Sequence, residues 1–346
     1  MSEANLVRPL TPLPPVEYAQ RSDPGRDPQK QANEDTCMRR ETRIGHLCVV
    51  CDGMGGHAAG REAAELAMAT MATTFDRAPR EANPSEMLRT SIRDANRAVH
   101  DMHTEEEAFG RPGCTVVAVL MHADGTEVAH VGDSRAYLVR GDRVTRITND
   151  HSIVQELLDR GLITPQQAAR HPDASRITRA LGMGAEVEPE VQPSPIAHVV
   201  GDSFVLCSDG LTDRVDDEEI LAIVGRHPPA EAVVRLVDLA NARGGHDNTT
   251  VLVLRAQQTA GGSPAVPTRA SGGTDTQEEG QEEAEDDAAR SPTAERGLKA
   301  PDPPETVARE RAKPASAFVI GLLWGVLVAS ALALAFVPRL RHLWGY

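Results

Sequence analysis

His46-Leu47-Cys48-Val49-Val50-Cys51-Asp52-Gly53-Met54-Gly55-Gly56-His57 (46–57) carries a short, mostly apolar run straight into an aspartate and a cluster of glycines. An apolar run of that length bounded by glycine predicts a buried strand, His46–Cys51, that ends in a tight turn. The turn then carries a carboxylate at a strand end, where glycine lets backbones approach closely. The same pattern returns along the chain: Asp133 in VGDSR (131–135), Asp209-Gly210 in LCSDG (206–210) and Asp247-Asn248 in GGHDNTT (244–250), with Asn33-Glu34-Asp35 ahead of them all.

Further strands are predicted at Thr115–Met121, Glu127–Val131, Ala136–Val139, Arg143–Ile147, Ser203–Cys207 and Thr249–Leu254, punctuated by Asp-Gly at 124–125 and Gly-Asp at 141–142. Seven short strands argue for a sandwich. Two helical stretches, about 60–78 and 85–105, lie between the first strand and the second. Ser85 is placed to cap the second of these helices, and Leu88, Ile92, Ala95, Val99 and Met102 form one apolar face of it. Residues 151–182 suggest short helices beside the sheet edge, where an insertion often covers a site.

The chain has 346 residues and a net charge of −15, which disfavours a non-specific nucleic-acid binder, since such binding needs Lys and Arg to neutralise phosphates. Cysteines at 37, 48, 51, 114 and 207 form no disulfide framework, and the start lacks an apolar signal segment, so a reducing cytosolic setting is expected. Cys48 and Cys51 make a C-x-x-C, yet residues three apart on a strand face opposite sides, which favours core thiols over a zinc or redox pair. Cys51 and Cys207 adjoin or nearly adjoin Asp52 and Asp209, so their oxidation could disturb a site built there.

The character changes after Leu254. Residues 256–314 are rich in Pro, Gly, Ser, Thr and Ala, and Asp275–Asp287 holds eight acidic residues and no basic one. Such a stretch cannot bury enough apolar surface to order itself, and it is expected to be a disordered acidic linker, either a solvated spacer or a contact for a basic partner. The run 315–337 has 23 residues without a charge, about 35 Å as a helix, and is expected to cross a membrane. Ala317, Gly321, Gly325, Ala329 and Ala333 would line one face of it, a pattern compatible with helix self-association. The expected organisation is an N-terminal extension (1–19), a folded domain (20–255), the linker (256–314), a transmembrane helix (315–337) and a short tail (338–346), with the domain on the cytosolic side of a cell membrane.

Carboxylates crowded together repel unless they take up protons or bind cations. An oxygen-only donor set without Cys or His ligand spacing suits hard ions such as Mg²⁺ or Mn²⁺, and several such acids predict a two-metal hydrolytic centre. Any one of them read alone is equally well an ordinary Asp-Gly turn.

The ordered set NED, VCDGMGGH, GCT (113–115), VGDSRAYLVR, NDHS (149–152), LCSDGLTD and GGHDNTTVLVL resembles the bacterial-type metal-dependent protein phosphatases, the PPM or type 2C serine/threonine family. The resemblance spans about residues 20–255 and implies an α+β fold, an αββα sandwich of two antiparallel sheets flanked by helix pairs, with a flap within 151–200. It implies that Asp52 bridges two Mn²⁺ or Mg²⁺ ions. Glu34 and the Gly53 carbonyl would complete one ion and Asp209 and Asp247 the other, while Asp35 would orient the attacking water and Asp133 would help to hold a third, weaker ion. The implied reaction is hydrolysis of phosphoserine and phosphothreonine in proteins, with no phosphoenzyme and no C-x₅-R loop, opposing Ser/Thr kinases at the membrane.

Two positions depart from the family. Its phosphate-binding arginine stands three residues before the Asn of NED, where this chain has Lys30, a point charge without the bidentate fork. Animal relatives place a proposed general acid directly after Asp-Gly, where this chain has Met54, leaving His57 either as the acid or as a turn histidine. The rival readings are a catalytically weak phosphoprotein-binding module and a membrane adaptor whose working part is the acidic linker.

Overall fold

The computed structural model describes residues 13–28, 32–55, 58–102, 111–168 and 170–257. The expected linker beyond Gln257, the 315–337 span with its small-residue stripe, the tail, Lys30 and His57 lie outside them, while Ala256, assigned to the linker, closes the last strand. No helix among the described residues is long and apolar enough to cross a membrane.

The chain runs β1 (Val16–Asp23), β2 (Thr36–Glu41), β3 (His46–Cys51), β4 (Gly53–Met54), α1 (Ala58–Arg77), α2 (Pro84–His100), β5 (Gly113–Cys114), β6 (Val116–His122), β7 (Gly125–Val131), β8 (Arg135–Arg140) and β9 (Arg143–Arg146). It continues through α3 (Ile153–Asp159), α4 (Pro165–Ala168), β10 (Glu190–Val191), β11 (Ser203–Cys207), α5 (Asp209–Thr212), α6 (Asp217–Val224), α7 (Pro229–Ala242) and β12 (Thr249–Ala256). One sheet has the order β1-β12-β11-β8-β9 and the other β10-β7-β6-β3-β2, with β4 and β5 as a separate pair. Every pairing is antiparallel.

Three apolar clusters separate four layers. On β3, Leu47, Val49 and Cys51 pack with α1 and α2, while Cys48 and Val50 join the cluster between the sheets. On β12, Val251 and Val253 pack with α6 and α7, while Leu252 and Leu254 face the other sheet. Central strands therefore bury both faces, which is why they read as continuous apolar runs rather than as alternation. The two thiols of C-x-x-C do point to opposite faces.

His46–Cys51 and Ser203–Cys207 match the predicted strands residue for residue, and the other predicted strands differ by a residue or two at their ends. The folded unit takes in residues assigned to the N-terminal extension: Val16 pairs with Ala256, and the Gln257 amide donates to Pro15 O at 2.8 Å. The cap of α2 is Asn83, whose side chain accepts the Glu86 amide at 3.0 Å; Ser85 lies inside the first turn, because Pro84 already takes the first helical position. Of the predicted apolar face, Leu88, Ile92, Ala95 and Val99 are buried on α2, whereas the helix stops at His100, short of the predicted 105, so Met102 lies past its end and is only partly buried.

Truncating a side chain sealed between the sheets leaves a cavity that rigid β-layers cannot collapse onto. Leu252→Ala is expected to cost about 2–5 kcal/mol in equilibrium denaturation. The exposed Val234→Ala on α7 should stay within about 0.5 kcal/mol. Equal losses for the two would contradict the layer assignment.

Candidate metal centre

Strand ends and connecting turns from both sheets meet at one end of the sandwich. Asp52 follows β3, Asp133 sits in the turn from β7 to β8, Asp209 opens α5 directly after β11, Asp247 precedes β12, and Glu34 precedes β2. These carboxylates line a single cleft of about 380 Å³ together with Gly53, Thr115 and the flap residues Ser175 and Ile177. Asp35 lies behind the cleft, 7% exposed. The sequence-predicted acids are thus brought together. Among the described residues that line the cleft there is no Lys, Arg, His or Cys.

Neutral side chains hold the acids in place. The Asp52 amide donates to Thr115 Oγ1 at 3.0 Å and the Thr115 amide to Asp52 O at 2.8 Å, while Thr115 Oγ1 lies 2.7 Å from Ser134 Oγ. One threonine therefore ties the Asp52 turn to the Asp133 turn. Ser208 donates its hydroxyl to Asp35 Oδ2 at 2.7 Å and accepts the Thr250 amide at 3.0 Å. Asn248 accepts the Glu34 amide at 2.8 Å through Oδ1, and its Nδ2 donates to Pro24 O and Ala32 O. Gly60 on α1 lets the helix approach the Asp52 turn, since a Cβ there would lie 2.8 Å from the Met54 backbone N and would also displace Glu34 Oε2. Thr115, Ser134, Ser208 and Asn248 had no role in the sequence reading, although GCT and DNTT stood among its motifs.

Burial, and then the neighbouring carboxylates, shift these groups upward. Asp52 lies well above the usual carboxylate range because it is out of water and close to Asp35, Asp209, Asp133 and Asp247. Asp133 is pushed up to about 8 by burial, with Asp209 and Asp150 adding to it. Asp35 reaches about 7 by burial, against the lowering contacts from Ser208 and Thr250. Asp35 Oδ1 is buried with no hydrogen-bond partner. An oxygen-only set that crowds negative charge, with a buried oxygen still able to accept, fits a hard divalent cation and does not fit a soft one.

The chain belongs to the protein phosphatase 2C family: the family model of that name matches residues 26–243, well over half of the chain. It is 40% identical over 238 residues to the serine/threonine protein phosphatase PstP of Mycobacterium tuberculosis, covering 69% of this chain and 44% of PstP. It therefore spans less than half the length of that relative. It is 34% identical to the serine/threonine phosphatase stp of Listeria monocytogenes, over 63% of this chain and 88% of that protein. The crystal structure of the PstP catalytic domain in complex with two manganese ions superposes with a TM-score of 0.61 at 38% identity, over 70% of this chain and 99% of that one. The Streptococcus agalactiae serine/threonine phosphatase superposes with a TM-score of 0.64 at 31% identity, over 70% and 100%.

The raised carboxyl groups fix the sign of a pH effect. Their folded pKa values exceed the ordinary 3.8, so without metal the stability they contribute is present at low pH and is lost as pH rises from about 4 through 7 and 8. A cation that replaces those protons therefore stabilises more at high pH. The rise in melting temperature on adding millimolar Mn²⁺, followed by calorimetry, should be clearly larger at pH 8 than at pH 5. An equal rise at both would show that these groups do not gather the ion.

Proposed function

We propose that the domain hydrolyses phosphoserine and phosphothreonine monoesters in proteins, using two Mn²⁺ or Mg²⁺ ions and a third held more weakly. The observation that supports this most directly is the convergence of Glu34, Asp52, Asp133, Asp209 and Asp247 on one cleft without a basic side chain among the described lining residues. Asp52 would be shared between two ions, the Gly53 carbonyl and Glu34 would complete one, Asp209 and Asp247 the other, and Asp133 would hold the third. When bound, such ions supply Lewis-acid charge and make an attacking water acidic near neutral pH.

The chain's own residues orient and select. Asp35, with Oδ2 taken by the Ser208 hydroxyl and Oδ1 still able to accept, would orient the attacking water. Ser175 and Ile177 put the flap against the cleft mouth, where the protein flanking the phosphorylated residue must pass. Lys30 is the candidate phosphate ligand and His57 the candidate proton donor.

The 315–337 run supports a membrane tether, with 256–314 as its acidic linker. Tethering to the bilayer that carries Ser/Thr kinases would raise the effective concentration of their phosphorylated products. This agrees with the length and charge-free composition of that run. Self-association through the small-residue face is a separate proposal, supported only by the four-residue spacing.

The reading is tested on the full chain with Mn²⁺ and a phosphothreonine peptide. Asp52→Asn should lower kcat/KM by roughly 10²–10³-fold or more, the order lost on removing one electrostatic element of such a site. No phosphate release by the wild type, or an Asp52→Asn variant equal to it, would leave the phosphoprotein-binding reading in its place.

A further inference from the structure

The turn that carries Asp133 is anchored from outside the cleft. We propose that His151 is a positioning residue for Asp133: its imidazole holds the Gly132 amide and so fixes the direction in which the Asp133 carboxylate enters the metal centre. This rests on Asp133 being an ion-holding carboxylate.

Both polar groups of the Gly132 backbone go to this one residue. The Gly132 amide donates to His151 Nδ1 at 3.1 Å, and the His151 amide donates to Gly132 O at 3.0 Å. Gly132 has φ +107, and a Cβ there would lie 2.6 Å from Thr115 Cγ2, so only glycine fits and no side chain stiffens the turn. His151 itself is 8% exposed and stacks on His130, with ring centroids 4.6 Å apart and planes at 17°.

The tautomer follows from the partners. An amide can only donate, so Nδ1 presents its lone pair and the proton sits on Nε2, 3.3 Å from the acceptor Glu190 Oε2. Arg179 Nη1 lies 3.0 Å from the same Nε2, but it could donate there only to the opposite tautomer, which would set N–H against N–H at Gly132. The guanidinium is instead held by the Glu188 carbonyl.

His130, His151 and Glu190 bring ligand atoms within 4.8 Å of one another, a spacing that a metal ion could use. The donor set does not fit one. His130 donates Nε2–H to Asn149 O at 2.7 Å and keeps a free lone pair on Nδ1, but His151 has spent its single lone pair on Gly132, and a guanidinium adjoins the place. The same histidine accepts the Thr178 amide at its carbonyl oxygen at 2.7 Å, and its neighbour Ser152 bridges to Ile177 in the cleft wall. The clamp thus stands between the flap and Asp133.

The test uses the full chain, with Mn²⁺ affinities measured by calorimetry and Gly132 amide exchange measured without metal. Asparagine places an oxygen near the position of Nδ1, whereas glutamine reaches only the position of Nε2. His151→Asn should keep wild-type behaviour. His151→Gln and His151→Leu should weaken the ion that Asp133→Asn removes by about 10–100-fold, leave the other two unchanged, and speed Gly132 exchange about fivefold or more.

Wild-type Mn²⁺ binding in His151→Gln and His151→Leu, or rescue by Gln but not by Asn, would overturn the proposal. So would stoichiometric Zn²⁺ binding that is lost in His130→Ala and His151→Ala. If Asp133→Asn binds every ion like the wild type, the assignment of Asp133 falls and this inference falls with it; if Asp133→Asn loses an ion and His151→Gln does not, only this inference fails. Should His151→Leu not fold, the Asn and Gln pair decides alone.

Discussion

Like charge held out of water is the constraint from which the rest of this domain follows. Asp35, Asp52 and Asp133 are all pushed above the ordinary carboxylate range, first by burial and then by neighbouring carboxylates, Asp209 among them in each case. A fold that gathers such groups must either neutralise them internally or leave the charge for something that binds. Among the described residues that line the cleft, none is a basic side chain that could take the first course. Thr115 Oγ1 and Asn248 Oδ1 accept the backbone amides of Asp52 and Glu34, and the Ser208 hydroxyl donates to Asp35 Oδ2, contacts between neutral groups and the acids that fix direction without adding a positive charge. A part-buried guanidinium two residues from Asp133 is committed elsewhere: Arg135 is bidentate on Asp150, whose Oδ1 also meets Arg146 at 2.5 Å. None of these three side chains lines the cleft.

Rigidity at the cleft comes from the sandwich behind it. Because β3, β6, β11 and β12 bury both faces, a strand end cannot shift without disturbing two apolar clusters at once. The turns inherit that precision and add cross-links of their own: Thr115 joins Asp52 to Ser134 beside Asp133, Ser208 beside Asp209 holds Asp35, and Asn248 beside Asp247 holds the Glu34 amide. The flap is tied differently at its two ends. Gly182, Gly184 and Ala185 meet Asn96 on α2, and Glu188 pairs with Arg89 and Arg93 there. The stretch from Leu162 to Ser175, by contrast, is largely exposed. The flap is therefore anchored at the helix layer, and of its residues Ser175 and Ile177 reach the cleft.

How much of this was legible in the sequence depended on which force fixed each part. Strands buried on both faces were readable to within a residue or two at their ends, since burial writes directly into composition. β1 (VEYAQRSD) and β2 (TCMRRE) were not, because their strand state comes from pairing with β12 and β3 while one face stays wet. Helices α6 and α7 were not marked either: Asp217-Glu218-Glu219 opens α6 with acids that suit a helix N-terminus but look like a charged loop. At the site the acids were legible because Asp beside Gly at a strand end is a recognisable pattern. Ser208, Asn248 and Ser134 were not, because a hydroxyl or an amide has no role until the fold decides what it faces.

The cysteines show the same division between sequence proximity and physical access. Cys51 and Cys207 stand next to or near Asp52 and Asp209, which invited a redox reading. In the fold both are fully buried, Cys51 on the helix side of β3 and Cys207 on the helix side of β11, so neither thiol opens on the cleft. Burial holds the Cys207 thiol up at about 12, and Cys51 is raised well above its ordinary value by its contact with Cys114 and by burial. A thiol that is neither ionised nor reachable is a poor nucleophile and a poor target for peroxide. Adjacency along a strand alternates faces, so the residue beside a site acid is the one directed away from it. These thiols fill the core that holds the carboxylates still, and the chemistry is left to oxygen donors and water.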